Sequence, residues 1–132
     1  MNVGKFFNAY DPSPLRLPKV RSAALIQATH DMPCSLRLAS LLLRPCEGDV
    51  MAVHLDKAGG KGMGTKVSDL AVVAGCNACH CLLDGRDRSG WSILMDKHEK
   101  QVLAQCIRAL LETQSRWVAL GLITGPDWAI VG

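Results

Sequence analysis

The chain has no window of 18 uninterrupted apolar residues, so no membrane span is expected. Its first residues, "MNVGKFFNAYDPSPLRLPK", lack an apolar core and a small-residue cleavage site, which argues against a secretory signal. There is no polybasic arm, no internal repeat and no low-complexity tract. A βαβαβ pattern is missing too, which argues against a thioredoxin-like redox role for the one Cys-x-x-Cys. What remains is a 132-residue chain, 48% hydrophobic and 20% charged, the size and balance of one globular domain with a modest core. A cytoplasmic location follows as an expectation. There thiols stay reduced, and clustered cysteines are more often metal sites than disulfides.

Charge is unevenly placed. Residues 1–66 carry nine Lys/Arg against five Asp/Glu, and residues 67–132 carry six against seven. The basic excess in the N-terminal half is a mild signal for a polyanionic partner.

Prolines at 12, 14 and 18 mark residues 1–20 as an irregular leader, with one domain over residues 21–132. Ser22 is a cap for a short helix, "SAALIQATH", which Pro33 stops. "CSLRLA", "VMAVHL" and "LAVVAG" read as three short strands, the second ending near His54. Between the last two lies "DKAGGKGMGTK", whose four glycines and Lys57, Lys61 and Lys66 make a basic loop suited to phosphate contacts. A short helix is expected to start at about Cys79. A long one runs from Asp96 to about Leu120, with Asp96 and Glu99 as a capping box and Gly121 as its end. Its apolar stripe is Leu103, Cys106, Ile107, Leu110 and Trp117.

The stretch "GCNACHCLLDGR" carries the chemistry. Cys76-x-x-Cys79 is half of a tetrahedral zinc site, since two thiolates on a tight knuckle both reach one ion at about 2.3 Å. Cys34 and Cys46 supply the other half and would tie the N-terminal part of the fold to the knuckle. A domain this small gains folding free energy from such a clamp. Cys81 points elsewhere on the helix, and Cys106 sits in the apolar stripe as a small hydrophobe.

His80 and Asp84 are four apart and share a helix face. Imidazole plus carboxylate suits a catalytic divalent ion, Mg²⁺ or Mn²⁺, that keeps waters for substrate phosphate. The structural alternative for Asp84 is a salt bridge to Arg86. His54, at a strand end, completes the set as the base for a water, because imidazole titrates near neutral pH. Phosphodiester hydrolysis needs a base, a cation on the phosphate oxygens and positive charge on the backbone. His54, His80 with Asp84, and Lys57/Lys61/Lys66 would supply them. That division of labour requires His54 to face Asp84 across one groove.

The run "PCSLRLA…RPCEGD…AVHLD…GMGTKVSDL…GCNACHCLLDGR" resembles the YbcO family of nucleases carried by lambdoid prophages, over roughly residues 21–120. The resemblance implies an α+β fold, a small zinc-stabilised ββα-metal (HNH-like) domain with a short N-terminal and a long C-terminal helix. It implies DNA as partner, in a bacterial host cell, and no small-molecule cofactor. Cys34, Cys46, Cys76 and Cys79 match the family's cysteines, His54 its strand-end histidine, Lys66 and Asp69 the residues after its glycine loop, and His80 and Asp84 its helix pair. The Cys34–Cys46 stretch is longer, Cys81 is extra, and the leader has no counterpart. The middle Asn of the HNH pattern is also missing, with Asp69 or Asn77 as substitutes. The expected function is a metal-dependent DNA endonuclease; the alternative is an inactive zinc-stabilised module that binds DNA or protein.

Overall fold

The computed structural model describes residues 19–55 and 67–131. The expected leader, apart from its last two residues, and the basic loop with Lys57, Lys61 and Lys66 lie outside the described residues. Helix α1, Ala23–Thr29, begins where Ser22 Oγ accepts the Leu25 amide, as the cap residue predicts. A 3₁₀ turn follows at Leu38–Leu42. Strands β1 (Val50–His54) and β2 (Val72–Cys76) pair antiparallel, Val50 opposite Cys76 and His54 opposite Val72. A short 3₁₀ turn, Asp69–Ala71, leads into β2. Then come α2 (Asn77–Leu83), α3 (Arg88–Lys97) and α4 (Glu99–Ala119). The result is a small α+β fold around a two-stranded sheet. Among the described residues, no helix is long and apolar enough to cross a membrane.

"CSLRLA" does not form a strand. The Ser35 and Leu36 amides both donate to the Ala74 carbonyl, at 2.8 and 3.3 Å, touching the outer edge of β2. Arg37 then takes a left-handed φ of 48° and turns the chain away into the 3₁₀ segment. Alternating leucines suggested pairing, but a ladder cannot continue through that turn. Gly75 is needed where Leu36 crosses β2, because a Cβ there would lie 2.7 Å from Leu36 Cδ1 and 2.9 Å from Val53 Cγ2.

The expected C-terminal helix forms as α4 but starts at Glu99 rather than Asp96, and a separate helix, α3, precedes it. Asp96 lies inside α3, and the break falls at His98, which provides no side-chain cap for α4. The signal for α3 was Asp87, whose carboxylate accepts the Gly90 amide at 3.0 Å. The buried face of α4 is Val102, Ala109, Thr113 and Trp117, with Cys106 and Leu110 half-buried. Leu103 and Ile107 are 59% and 63% exposed. Thr113 sets this rotation: its Oγ1 donates to the Ala109 carbonyl and accepts the Ala74 amide, docking α4 on the same outer edge of β2 that Ser35 and Leu36 touch. Gly121, at φ 73°, follows the Leu120 cap, as expected.

The hairpin separates two apolar clusters. Val53 and Val73 project into one with Leu36, Leu38, Cys79, Leu82 and Leu94. Ala52 and Val72 project the other way, towards Leu25 and Trp117, whose indole Nε1 donates to the Leu25 carbonyl at 3.1 Å. Burying the Trp117 ring contributes about 3 kcal/mol and fixes α1 against the end of α4.

Candidate functional site

Four segments deliver the cysteine cluster. Cys34 follows Pro33 after α1, Cys46 follows Pro45, Cys76 ends β2 and caps α2, and Cys79 lies in the first turn of α2. Their four sulfurs lie within 4.8 Å of one another, and Cys46 Sγ is 3.8 Å from Cys79 Sγ. Thiolates about 2.3 Å from one tetrahedral ion stand about 3.8 Å apart, so the spacing fits zinc.

Backbone amides point at the sulfurs. Arg37 and Cys76 donate to Cys34 Sγ at 3.4 and 3.3 Å, Cys79 to Cys76 Sγ at 3.4 Å, and Ala39 to Cys79 Sγ at 3.4 Å. Hydrogen bonds of this kind stabilise thiolate charge and orient ligands. The left-handed turn at Arg37 thus brings an amide to Cys34.

The Cys34 sulfur is the one held below the ordinary thiol range. The Cys79 thiol donating to Cys34 brings the latter down to about 4; burial opposes this, and the Arg37 and Cys76 amides add to it. Burial and the neighbouring Cys34 charge push Cys46 up to about 11, and Cys79 rises through the same Cys34 contact and burial. Crowded thiolates repel one another, and a divalent soft cation relieves that repulsion. All six cysteines are free thiols. Cys81 lies outside the cluster, beside a cavity of about 240 Å³ lined with Arg44 and Asp87. Cys106 stays protonated through burial.

His54 ends β1 with its side chain 38% exposed, and its Nε2 lies 3.0 Å from Asp69 Oδ1. Asp69 is buried; its Oδ2 accepts the Ser22 amide at 2.8 Å, and Arg21 Nη1 is 3.9 Å from Oδ1. Burial raises the Asp69 carboxyl, but the Ser22 amide, His54 and Arg21 outweigh it and hold the group below its ordinary value. An ionised carboxylate only accepts, so His54 Nε2 is the donor, and in a neutral imidazole the lone pair then lies on Nδ1. Of Asp69 and Asn77, Asp69 is the one that touches His54. Asn77 instead starts α2, with its Cβ set against Gly48.

His80 and Asp84 share a face of α2, Nε2 and Oδ2 being 3.7 Å apart. Asp84 is also held by Arg86, whose Nε and backbone N–H donate to its two oxygens at 2.7 and 3.0 Å. His80 Nδ1 lies 3.3 Å from Met51 Sδ. Residues three apart on a strand project to opposite faces, so Met51 carries His80 on the face away from His54. The hairpin therefore brings His54 together with Asp69 and sets His80 and Asp84 on its other face. Among the described residues, only the cysteine cluster gathers three or more metal-ligating groups. His80 and Asp84 form a two-residue pair in which both Asp84 oxygens are engaged by Arg86. The residues that the sequence did not single out are Arg21 and the amides aimed at sulfur. Neither class has a sequence signature.

No family model, curated protein or solved structure matches the chain.

Proposed function

We propose that the protein is a DNA endonuclease that hydrolyses phosphodiester bonds, with His54 as the base and a zinc-bound cysteine cluster holding the hairpin. The observation that carries this reading is the His54–Asp69 pair, 3.0 Å long, which joins the end of the first strand of a β–β–α run to the turn before the second. Asp69 fixes the tautomer. Nδ1 takes a proton from water, the water oxygen forms a bond to phosphorus, and the opposite P–O bond breaks. The leaving oxygen takes its proton from solvent. The motif resemblance to the YbcO family supports DNA as the substrate and a bacterial host cytoplasm as the place of action. Lys57, Lys61 and Lys66 are proposed to contact phosphates.

Zinc at Cys34, Cys46, Cys76 and Cys79 would be structural. Its chemistry is to bind four thiolates and clamp residues 34–46 to the start of α2. Mg²⁺ or Mn²⁺ at His80 and Asp84 requires Arg86 to release the carboxylate, and the chemistry assigned to His54 does not pass through that ion.

A second reading is an inactive zinc-stapled module that binds DNA or protein. It is favoured by one observation, the Arg86-bound Asp84 standing with His80 on the hairpin face away from His54. Nicking of supercoiled plasmid in Mg²⁺ or Mn²⁺ separates the two. Wild-type cleavage that His54→Ala abolishes supports the endonuclease. Full cleavage by the variant removes His54 from the mechanism, and none by either leaves the binding module.

A further inference from the structure

Cys46 differs from the other cysteines of the cluster in two respects. It stands in an exposed run, residues 43–49, whereas Cys76 and Cys79 are buried and Cys34 is half-buried. It is also the sulfur that accepts no backbone amide among the described residues. Cys34 takes two, from Arg37 and Cys76, while Cys76 takes that of Cys79, and Cys79 takes that of Ala39. The Cys46 Sγ lies 3.8 Å from Cys79 Sγ. The neighbouring Glu47 carbonyl accepts the Ala78 amide at 3.1 Å, which holds this segment against the start of α2 beside Cys79.

Both differences act in the same direction. An amide aimed at a thiolate draws charge from it, and a thiolate's nucleophilicity falls with its basicity. A sulfur without such a bond keeps its nucleophilicity, and exposure lets a reagent approach it. Without metal, burial and the Cys34 charge keep the Cys46 thiol protonated. Zinc ligation requires thiolates, so that restraint is lifted in the loaded protein.

We propose that Cys46 is the modification site of the cluster, the thiolate at which hydrogen peroxide oxidises the zinc-loaded protein and so releases the ion. This rests on the zinc reading of the four cysteines and is independent of the role given to His54. The Cys46 sulfur attacks one peroxide oxygen: an S–O bond forms, the O–O bond breaks, and hydroxide leaves and takes a proton from solvent. The Cys79 thiolate then attacks the Cys46 sulfur: the S–S bond forms, the S–O bond breaks, and a second hydroxide leaves in the same way. Two thiolates lose two electrons in all, and one peroxide becomes two waters. The sulfurs need to close from 3.8 Å to about 2.0 Å, and the exposed segment carrying Cys46 has room to make that shift. Two thiolates remain, fewer than the four of a structural zinc site. The disulfide keeps Cys46 on α2, so a thiol reductant restores the full set.

The test uses the zinc-loaded full chain and sub-stoichiometric hydrogen peroxide. Zinc release is followed with a chromogenic chelator, and thiols are mapped by alkylation and peptide mass spectrometry. Release is expected to keep pace with the loss of alkylatable Cys46 and Cys79, to yield a Cys46–Cys79 disulfide, and to reverse with dithiothreitol. Cys46→His keeps a nitrogen ligand and removes the nucleophile, and it is expected to release zinc about tenfold more slowly. Release from Cys46→His at the wild-type rate overturns the proposal. So does a wild-type map in which Cys34, Cys76, Cys81 or Cys106 is oxidised before Cys46. That map decides alone should Cys46→His fail to take up zinc. A wild-type chain that takes up no zinc overturns the reading of the cluster and this proposal with it, whereas a zinc-loaded chain with an unreactive Cys46 overturns this proposal alone.

Discussion

The backbone amide of Cys76 donates to the sulfur of Cys34 at 3.3 Å across 42 residues of chain. That bond joins the segment after α1 to the end of β2, and it exists to serve a thiolate. Bound zinc is expected at one ion per chain by elemental analysis. Cys76→Ser should lose it, and His80→Ala should keep it. Chelation should lower the melting temperature by more than about 10 °C. Structural zinc supplies folding free energy on the order of 10 kcal/mol, and a loss of 1 kcal/mol moves the melting point of a domain this size by several degrees.

Leu43 closes the 3₁₀ turn at φ 58° and is 96% exposed. A left-handed leucine costs about 1–2 kcal/mol, and exposure denies it compensating burial. Leu43→Asn tolerates that backbone region without the extra unfolded-state freedom of glycine. It should raise stability by about 0.5–1 kcal/mol in urea unfolding of the zinc-loaded protein. An unchanged or lower midpoint would show that the turn is not strained.

Asp69 links stability to pH. Its folded-state carboxyl is held below the ordinary value by the Ser22 amide, His54 and Arg21 against the cost of burial. A depressed carboxyl contributes stability that is fully present above the unfolded value of about 3.9 and is lost as pH falls through the folded value. Unfolding free energy measured from pH 6 downward should therefore drop less steeply in Asp69→Asn than in the wild type. Parallel curves would mean that the carboxylate adds no folded-state proton linkage.

Much of the local structure was legible in the sequence. Ser22 marks the start of α1, "VMAVHL" contains β1, "LAVVAG" overlaps β2, and the spacing of Cys34, Cys46, Cys76 and Cys79 anticipates the cluster. Local signals sufficed because a cap, an alternating strand and a knuckle each depend on neighbours in the chain. The failures have tertiary causes. Arg37 adopts a left-handed turn that propensity does not favour, and its amide then meets Cys34. The rotation of α4 is decided by Thr113 reaching the Ala74 amide, so Leu103 and Ile107 turn outward although they fit an apolar stripe. Helix spacing predicted that His80 and Asp84 would share a face. It could not predict which side of the hairpin that face lies on, because the parity of Met51 and His54 on β1 decides it.

In the proposed hydrolysis Asp69 orients His54 as a base, which is tested by single-turnover cleavage of a DNA duplex across pH by the zinc-loaded wild type, His54→Ala and Asp69→Asn. The account predicts a fall of about 10²–10⁴-fold for His54→Ala with loss of the rising limb of the pH profile. For Asp69→Asn it predicts a fall of about 10–100-fold, with the limb kept or displaced. Cleavage by His54→Ala at the wild-type rate and with the wild-type pH profile would contradict it.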